Sequence, residues 1–378
     1  MAAVKTKLRV PIVSYLNGMT NAIRKEFDAS STPAGDLFRS DKLEFVDIPL
    51  PTLVGNTQDL LYSLEMEDVD APRWDLTLEQ RRIVEQAKVV VMDQHIGGPL
   101  FIAPEKSLPE DMHDILRNVN WVQGTYAGVE HYLNRLNNKS AETPPFTLTR
   151  AGAFLPRVMG QYVFGYVTMF ERKLLEAIDF RNKGEYARAH MADFRLADHV
   201  TIGILGFGEI GQGVGKMLRS AGYNVIGFKR RVSPGLELAS GADIVTSDLS
   251  EVLCKSDYLV NVLPSTSSTH YLLNEANLEL CRARKPIFIN IGRGDVASEK
   301  TIISALDSGV WSSAVLDVFE VEPLPRESAL WSHPSVMFTP HVAGFPFAED
   351  GASIFVDNFN RYLLGEPMQY QVDWKAGY

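Results

Sequence analysis

The chain has 378 residues, of which 45% are hydrophobic and 22% are charged, as in an ordinary soluble globular protein. At about 150 residues per domain, this length predicts two or three domains. The 37 Lys and Arg residues against 47 Asp and Glu residues give a net charge of −10, which disfavours general binding to nucleic-acid phosphates.

Two cysteines, Cys254 and Cys281, are too few for a disulfide framework. Both lie in apolar, helix-like segments and are predicted to be small core residues. No apolar run approaches the length of a membrane span, and no signal-peptide core is visible. We therefore expect a cytoplasmic protein with neither a membrane nor a nucleic-acid partner.

Short apolar runs alternate with helix-length amphipathic runs along most of the chain. Predicted strands, rich in Val, Ile and Phe, lie at 8–16, 43–49, 87–93, 120–126, 146–152, 201–208, 224–229, 258–263, 286–292, 312–319 and 335–342. Predicted helices between them include 157–178, 210–221, 299–308 and 352–364. This alternation predicts stacked βαβ units, and hence an α/β fold with parallel sheets.

One segment, Asn56–Arg82, departs from this pattern and is predicted to be a solvated surface excursion. Its acidic residues include Asp59, Glu65, Glu67, Asp68 and Asp70. Further on, Pro144, Pro145 and Pro156 interrupt the middle of the chain, which favours a domain boundary near residue 150.

The strongest local motif is a GxGxxG turn between a strand-like run and a helix-like run. Its residues are Gly206, Phe207, Gly208, Glu209, Ile210 and Gly211. In a dinucleotide-binding βαβ unit, the first glycine permits the tight turn, the second lets the backbone approach the pyrophosphate, and the third lets the helix pack closely. The helix N-terminus then offers N–H groups to the phosphates. The motif predicts a nicotinamide dinucleotide site; the alternative is a tight turn without a ligand.

The end of the next strand bears on the choice of cofactor. An NAD site usually places Asp or Glu there, to accept hydrogen bonds from the ribose hydroxyls. Counting 18 residues from Gly211 reaches Lys229, which Arg230 and Arg231 follow. Cations attract a 2′-phosphate that a carboxylate would repel. These residues therefore favour NADP, as NADPH, over NAD; the alternative is a solvated basic turn.

Three later segments each end a predicted strand, and they carry Arg293, Glu322 and His341. In a doubly wound sheet, ligands bind outside the carboxyl ends of the strands. We therefore expect the three side chains at one rim, beside the predicted cofactor. Taken singly, each has a plainer explanation: a surface ion pair, a loop cap and a structural histidine.

Together these motifs resemble the D-isomer-specific 2-hydroxyacid dehydrogenases. The glycine turn, the run Leu263-Pro264-Ser265-Thr266 with Thr269, the Arg-Gly pair, LDVFEVEPLP and TPH occur in that family's order. The run QGTYAGVEH at 123–131 resembles the family's substrate loop. Within the family, EPLPRESALWSHPSVMFTPHVAG and the tail QVDWKAGY are most similar to the bacterial A-type glyoxylate/hydroxypyruvate reductases.

The resemblance implies reduction of a small 2-keto acid, such as glyoxylate or hydroxypyruvate, by a hydride from NADPH. Arg293 would bind the substrate carboxylate and ketone, since its guanidinium fork can hold two oxygens. His341 would donate the proton, because imidazole changes charge near neutral pH. Glu322 would hydrogen-bond the other nitrogen of that imidazole.

Further roles follow from the same resemblance. Pro264 and Asp317 are implied to bind the cofactor, and backbone N–H groups of Ala127 and Gly128 to hold the substrate carboxylate. His95 is a further candidate for ligand contact, although a structural role is favoured for it. No residues have the spacing of a metal site.

The family fold consists of two Rossmann-like doubly wound domains with parallel sheets. The resemblance implies a flavodoxin-like substrate (catalytic lid) domain at 1–150, completed by 343–378, and a dinucleotide-binding domain at 154–341. It also implies a cleft between the two domains and a long helix near 158–177 that crosses from one to the other. Relatives pair through the nucleotide domain, so a homodimer is expected. Two alternatives stay open: a dehydrogenase for bulkier 2-keto acids, and a non-enzymatic NAD(P)-sensing protein of the corepressor type.

Overall fold

The structure, a computed structural model, describes residues 7–51, 74–102, 104, 108–139, 143–232 and 240–375, without the side chains of 137–139. The acidic residues of the predicted surface excursion, from Asp59 to Asp70, lie outside the described residues. In the described part of the chain, no helix has the length and apolar character needed to cross a bilayer. The chain divides into two compact units: Met1–Ala153 with Pro346–Tyr378, and Phe154–Phe345.

The first unit is built on a five-stranded parallel sheet. Its strands are β1 (Leu8–Val13), β2 (Leu43–Asp47), β3 (Val89–Met92), β4 (Trp121–Gly124) and β5 (Thr147–Thr149). They are arranged in the order β2-β1-β3-β4-β5. The helices are α1 (Met19–Ala29), α2 (Pro33–Arg39), α3 (Leu78–Gln86), α4 (Gln94–Phe101), α5 (Glu130–Lys139) and a C-terminal helix (Ala348–Leu364), with a 3-10 turn at Glu110–Met112.

An aromatic core joins the C-terminal helix to the N-terminal part of this unit. The Phe27 ring lies 4.6 Å from Phe45 and 5.7 Å from Phe355, measured between ring centroids. The Asn360 side chain also accepts a hydrogen bond from the Ala34 backbone N–H at 3.0 Å. Burial of several large aromatic side chains strongly favours this packing. The C-terminal helix therefore completes the fold of the first unit.

The second unit is built on a seven-stranded parallel sheet. Its strands are β6 (Thr201–Leu205), β7 (Asn224–Phe228), β8 (Ile244–Thr246), β9 (Tyr258–Asn261), β10 (Ile287–Asn290), β11 (Ser313–Leu316) and β12 (Val336–Phe338), in the order β12-β11-β10-β9-β6-β7-β8. Its helices are α6 (Leu155–Glu171), α7 (Leu174–Lys183), α8 (Arg188–Met191), α9 (Glu209–Ser220), α10 (Leu249–Lys255), α11 (Glu275–Leu278) and α12 (Glu299–Asp307). Short 3-10 turns lie at Ala197–His199, Glu279–Cys281, Gly294–Val296 and Ala329–Trp331.

The strand order places a topological switch point between β6 and β9. From β6 the sheet grows in one direction through β7 and β8, and from β9 in the other through β10, β11 and β12. In open parallel sheets the crevice at this point, outside the carboxyl ends of the strands, is where ligands bind. The glycine turn follows β6 directly, so the predicted doubly wound α/β architecture is confirmed.

Each predicted strand run contains an observed strand, but the edge strand β8 was missed. It has three residues, pairs only with β7 among the described strands, and leaves Ile244 39% exposed, so it forms no continuous apolar run.

The predicted helix over 157–178 is also wrong in one respect. It is divided, because Lys173 has a φ of 52°, in the left-handed region that ends a right-handed helix. Cys281 is buried as predicted, whereas Cys254 is exposed, since α10 turns its neighbours Val252 and Leu253 into the core.

Candidate functional site

The glycine turn after β6 is shaped by close backbone packing. Gly206 has a φ of 96°, and a β-carbon there would lie 3.0 Å from the Leu263 nitrogen. A β-carbon at Gly211 would lie 2.2 Å from the Gly206 carbonyl oxygen. The N–H groups of Gly206 and Phe207 both donate to the Phe228 carbonyl, at 3.2 and 2.9 Å. The turn therefore requires glycine at its first and third motif positions.

The middle glycine is different, because the space beside it is open. A β-carbon at Gly208 would meet no atom within 4 Å. The backbone N–H groups of Gly208 and Ile210 have no acceptor among the described residues, and helix α9, which begins at Glu209, has no side-chain cap. Unpaired N–H groups and the positive end of a helix dipole attract phosphate. The turn therefore fits the pyrophosphate of a dinucleotide.

The other motif residue, Phe207, contributes its backbone to the turn and its side chain to the core. The ring is 1% exposed, and a β-carbon at Gly227 would lie 2.4 Å from it. This packing ties the turn to strand β7. The basic residues that follow β7 are thereby held close to the turn in the sheet.

The three basic residues lie at the end of β7, next to the edge strand. The Lys229 backbone N–H donates to the Thr246 carbonyl at 2.9 Å. Lys229 is half-buried, and Arg230 and Arg231 are exposed. In the described part of the chain, none of the three side chains has an ion-pair partner. Pro264 lies in the exposed loop after β9, where its carbonyl accepts a hydrogen bond from the Thr269 hydroxyl at 2.6 Å.

Arg293 follows β10, on a loop fixed by two buried asparagines. The Asn290 side chain donates to the Arg293 carbonyl at 3.1 Å and accepts from the Asn261 side chain at 2.8 Å. Both asparagines are fully buried at the ends of neighbouring strands. The Arg293 guanidinium donates to the Gly292 carbonyl at 2.7 Å. The arginine therefore leaves the sheet from a backbone that neighbouring strands hold rigidly.

His341 and Glu322 form a hydrogen-bonded pair. The His341 Nδ1 lies 2.8 Å from the Glu322 Oε2, and the Glu322 Oε1 accepts from the Phe319 backbone N–H at 2.8 Å. Because a carboxylate can only accept, Nδ1 carries the hydrogen and Nε2 is the nitrogen left for other partners. The imidazole side chain is 42% exposed. This is the arrangement of an imidazole that can exchange a proton with a ligand.

Opposing influences act on the His341 imidazole. Desolvation lowers its pKa, but the hydrogen bond to Glu322 and the charge of that carboxylate outweigh the desolvation, so the pKa is raised above its ordinary value of 6.5. The positive charge of Arg293 lowers the pKa by a smaller amount. That influence requires Arg293 to lie near His341. The structure thus brings together the three residues predicted to be catalytic.

Asp317 organises the loop that carries His341. Its carboxylate is 1% exposed and accepts from the Thr339 hydroxyl at 2.5 Å and from the Val342 and Ala343 backbone N–H groups at 2.9 Å. The His341 N–H donates to the Asp317 carbonyl at 2.8 Å, and His341 has a φ of 53°. The family resemblance implies cofactor binding for Asp317, which stays a prediction, whereas the amino-acid sequence gives no sign of this structural role.

In the first unit, Ala127 and Gly128 lie in the loop between β4 and α5. Their backbone N–H groups have no acceptor among the described residues. His95 lies on α4, is 4% exposed, and stacks on Tyr15 at 5.2 Å between ring centroids. Burial lowers the pKa of His95 to about 3, so this imidazole is neutral at physiological pH, as suits a buried structural residue. In the part of the chain that the structure describes, no group of three or more His, Cys, Asp or Glu side chains is arranged to hold a metal ion.

Comparison with known proteins identifies the family. Residues 164–343 match the family described as D-isomer specific 2-hydroxyacid dehydrogenase, NAD binding domain. A curated relative, glyoxylate/hydroxypyruvate reductase A of Klebsiella pneumoniae strain 342, is 31% identical over 260 residues, which are 67% of this chain and 80% of the relative.

Two solved structures share the fold over nearly the whole chain. A D-isomer specific 2-hydroxyacid dehydrogenase family protein from Aeromonas salmonicida has a TM-score of 0.72 at 24% identity, covering 97% of this chain and 99% of that one. An NADPH-dependent glyoxylate/hydroxypyruvate reductase from Sinorhizobium meliloti, in complex with NADP and sulfate, has a TM-score of 0.68 at 25% identity, covering 98% and 100%.

The matched region includes the glycine turn and the residues Arg293, Glu322 and His341. The family and the named relatives are those of an NAD(P)-dependent oxidoreductase, and they do not favour the alternative of a non-enzymatic sensing protein. The chain therefore belongs to the D-isomer-specific 2-hydroxyacid dehydrogenases, as an enzyme with a nicotinamide dinucleotide cofactor.

Proposed function

We propose that the protein reduces a small 2-keto acid, such as glyoxylate or hydroxypyruvate, to the D-2-hydroxy acid, with NADPH preferred over NADH. The observation that carries the proposal is the His341–Glu322 pair, with 2.8 Å between Nδ1 and Oε2, within the electrostatic reach of Arg293. Ketone reduction beside a carboxylate needs a proton donor and an anion anchor. These side chains supply both.

His341 acts as the proton donor in this proposal. The hydrogen bond from Nδ1 to Glu322 stabilises the imidazolium, and the raised pKa keeps a larger fraction of the ring protonated at neutral pH. The second nitrogen, Nε2, delivers its proton to the ketone oxygen. The product hydroxyl thus receives its hydrogen from His341, and Glu322 stays a carboxylate.

Arg293 is assigned to the substrate carboxylate and ketone oxygens, which its planar guanidinium can hold together. The N–H groups of Ala127 and Gly128 are assigned to the carboxylate, supported by their lack of an acceptor among the described residues. The nicotinamide dinucleotide, when bound, supplies the hydride. The open turn at Gly208 is assigned to its pyrophosphate.

The preference for NADPH is assigned to Arg230 and Lys229. Both side chains follow β7, where an NAD site would carry an acid, and neither has an ion-pair partner in the described part of the chain. The Sinorhizobium meliloti structure, a complex with NADP, supports the same preference. The name of the Klebsiella relative supports a small substrate.

We further propose that the protein is a homodimer formed through the unit Phe154–Phe345. One stretch of this unit exposes several large apolar side chains to 39–93%: Leu174, Leu175, Ile178, Tyr186, Phe194 and Leu196. Exposed apolar groups concentrated in one region are typical of protein interfaces. A second copy of the chain would remove them from water.

Steady-state turnover with a panel of keto acids tests the proposed reaction. Glyoxylate and hydroxypyruvate with NADPH should give kcat values of about 1–1000 per second, the usual range for enzymes. Phenylpyruvate should be reduced far less efficiently; a preference for it would instead support a dehydrogenase for bulkier acids. Turnover below about 0.01 per second with every keto acid would overturn the proposal.

A further inference from the structure

The loop that leads to Ala127 and Gly128 is held by two buried residues that follow β3. Asp93 is 0% exposed and Gln94 is 1% exposed. We infer that Gln94, beside the loop anchor Asp93, is a positioning residue for the backbone N–H groups of Ala127 and Gly128, and through them for the substrate carboxylate. The inference rests on the proposed function, in which these N–H groups bind that carboxylate.

The Gln94 side chain continues the hydrogen bonding of β3 with β4 beyond the point where the main chain of β3 leaves the sheet. Strands β3 and β4 pair in parallel as far as Met92 and Gly124, and the chain then turns into α4. The Gln94 Oε1 accepts from the Tyr126 N–H at 2.9 Å, and the Gln94 Nε2 donates to the Tyr126 carbonyl. A primary amide has the donor and the acceptor of a peptide group. It therefore continues the ladder that β3 can no longer supply.

The neighbouring strand holds the same residue from the other side. The Ala151 N–H, which follows β5, donates to the Tyr126 carbonyl at 2.9 Å. The carbonyl of Tyr126 thus accepts two hydrogen bonds, one from each flank of β4. The residue directly before Ala127 is fixed as firmly as a residue within the sheet.

The glycine at position 124 is independent evidence that the Gln94 side-chain amide occupies one fixed position. A β-carbon at Gly124 would lie 2.6 Å from the Gln94 Nε2, closer than real side chains approach one another. The last residue of β4 therefore has no side chain where the amide crosses it. Any larger residue would push the amide away from Tyr126.

Asp93 holds the loop at a second point. Its Oδ1 accepts from the Ser14 hydroxyl at 2.6 Å and from the Thr125 hydroxyl, and its Oδ2 accepts from the Tyr15 N–H at 2.7 Å. One carboxylate thus joins the segments that follow β1, β3 and β4. A buried carboxylate with several donors is costly to remove, because each donor is left unsatisfied.

Anion-binding N–H groups act best when they are already in place before the ligand arrives. Loosening residues 125 and 126 would let the N–H groups of Ala127 and Gly128 move. The affinity for the keto acid should then fall, while the affinity for the dinucleotide, which is assigned to the other unit, should not. The inference therefore predicts a rise in one KM and no change in the other.

The test compares Gln94→Met with Gly124→Ala in the full-length protein. Methionine matches glutamine in length but has no amide, and alanine at 124 displaces the amide without changing it. Both variants should raise the KM for glyoxylate by about tenfold, from the loss of two backbone hydrogen bonds, and leave the KM for NADPH within about twofold. The matched control is Gln80→Met, which removes a similar bond, from the Thr77 N–H at 3.0 Å, at the start of α3. It should change neither KM.

The outcomes separate the inference from the proposed function. If the wild type reduces glyoxylate and both variants keep its KM, the inference is overturned and the proposed function stands. A fall in thermal stability or active fraction with an unchanged KM for glyoxylate would likewise assign Gln94 a purely structural role and overturn the inference. If the wild type reduces no keto acid, the proposed function fails and the inference falls with it. Should Gln94→Met not fold, Gly124→Ala decides the question alone.

Discussion

Substitution of Arg293 tests whether substrate binding needs the planar guanidinium fork or only a positive charge. Lysine at this position keeps the charge but cannot hold two oxygens at once. We expect Arg293→Lys to lower kcat/KM for glyoxylate by about 10²-fold or more, from the loss of a charge-assisted contact of roughly 1.5–3 kcal/mol together with misorientation of the substrate.

The matched control is Arg282→Lys, at an exposed arginine paired with Glu279 at 2.6 Å. It should leave kcat/KM unchanged. An Arg293→Lys variant whose kcat/KM stays within threefold of the wild type would contradict the role assigned to this arginine.

The His341–Glu322 pair makes a prediction about pH. Because the proposed donor is the imidazolium, kcat/KM for reduction should fall as pH rises through the raised pKa of His341, and oxidation should show the opposite trend. Glu322→Gln removes the carboxylate that raises this pKa, so the descending limb should move to lower pH. Profiles of kcat/KM for both directions measure the shift; a limb that stays in place would make Glu322 structural only.

Arg230 tests the basis of the cofactor preference. Arg230→Ala should raise the KM for NADPH by about 10- to 100-fold, since a charge-assisted hydrogen bond is worth roughly 1.5–3 kcal/mol and solvent screens part of it. The KM for NADH should stay nearly constant, and the wild-type preference for NADPH should shrink with added salt. Lys255→Ala, at an exposed ion pair with Glu251, is the control. Equal kcat/KM for the two cofactors in the wild type at low salt would falsify the assignment.

In the turn between β6 and α9, two glycine substitutions should distinguish an effect on folding from an effect on ligand binding. Gly211→Ala places a methyl group 2.2 Å from the Gly206 carbonyl oxygen, and we expect a loss of about 1–3 kcal/mol in the free energy of unfolding. Gly208→Ala meets no atom of this chain within 4 Å, and its φ of −82° and ψ of −157° suit any residue. Its stability should therefore stay within about 0.5 kcal/mol of the wild type.

For cofactor binding the order is reversed, and Gly208→Ala should have the larger effect. The methyl group of Gly208→Ala occupies the space assigned to the pyrophosphate, so the KM for NADPH should rise by about fivefold or more. Denaturant unfolding and NADPH titration of the two variants measure the two effects. A Gly208→Ala enzyme that binds NADPH as tightly as the wild type would place the pyrophosphate elsewhere.

The whole molecule is expected to pair through the apolar stretch 174–196. Leu174 and Ile178, on successive turns of α7, are 47% and 46% exposed. Replacing both with Asp should turn a dimer into a monomer without loss of secondary structure, because charges are costly to bury at an interface. Light scattering after size-exclusion chromatography gives the mass, and circular dichroism is the control. A monomeric wild type at micromolar concentration would contradict the proposal.

The fold class and eleven of the twelve described strands were accessible from the amino-acid sequence alone. Strands of a parallel sheet are covered on both faces, so their side chains are apolar throughout. Apolar runs of strand length between amphipathic segments therefore predict such strands. The glycine turn could likewise be predicted, because steric limits that mostly involve residues close in the chain require glycine there. Arg293, Glu322 and His341 could be named because each lies at or shortly after the end of a predicted strand and together they match the family pattern. Their catalytic roles remain predictions.

The tertiary structure alone decided how these residues are held. Gln94 meets the backbone of Tyr126 from 32 positions away, and Asp317 meets Ala343 from 26 positions away. The left-handed Lys173 that divides α6 from α7 carries no glycine or proline signal, and the short edge strand β8 carries no apolar run. Periodicity and motifs report what a residue requires of its near neighbours in the chain. A side chain that bonds a distant backbone group acquires its role only when folding brings the two together.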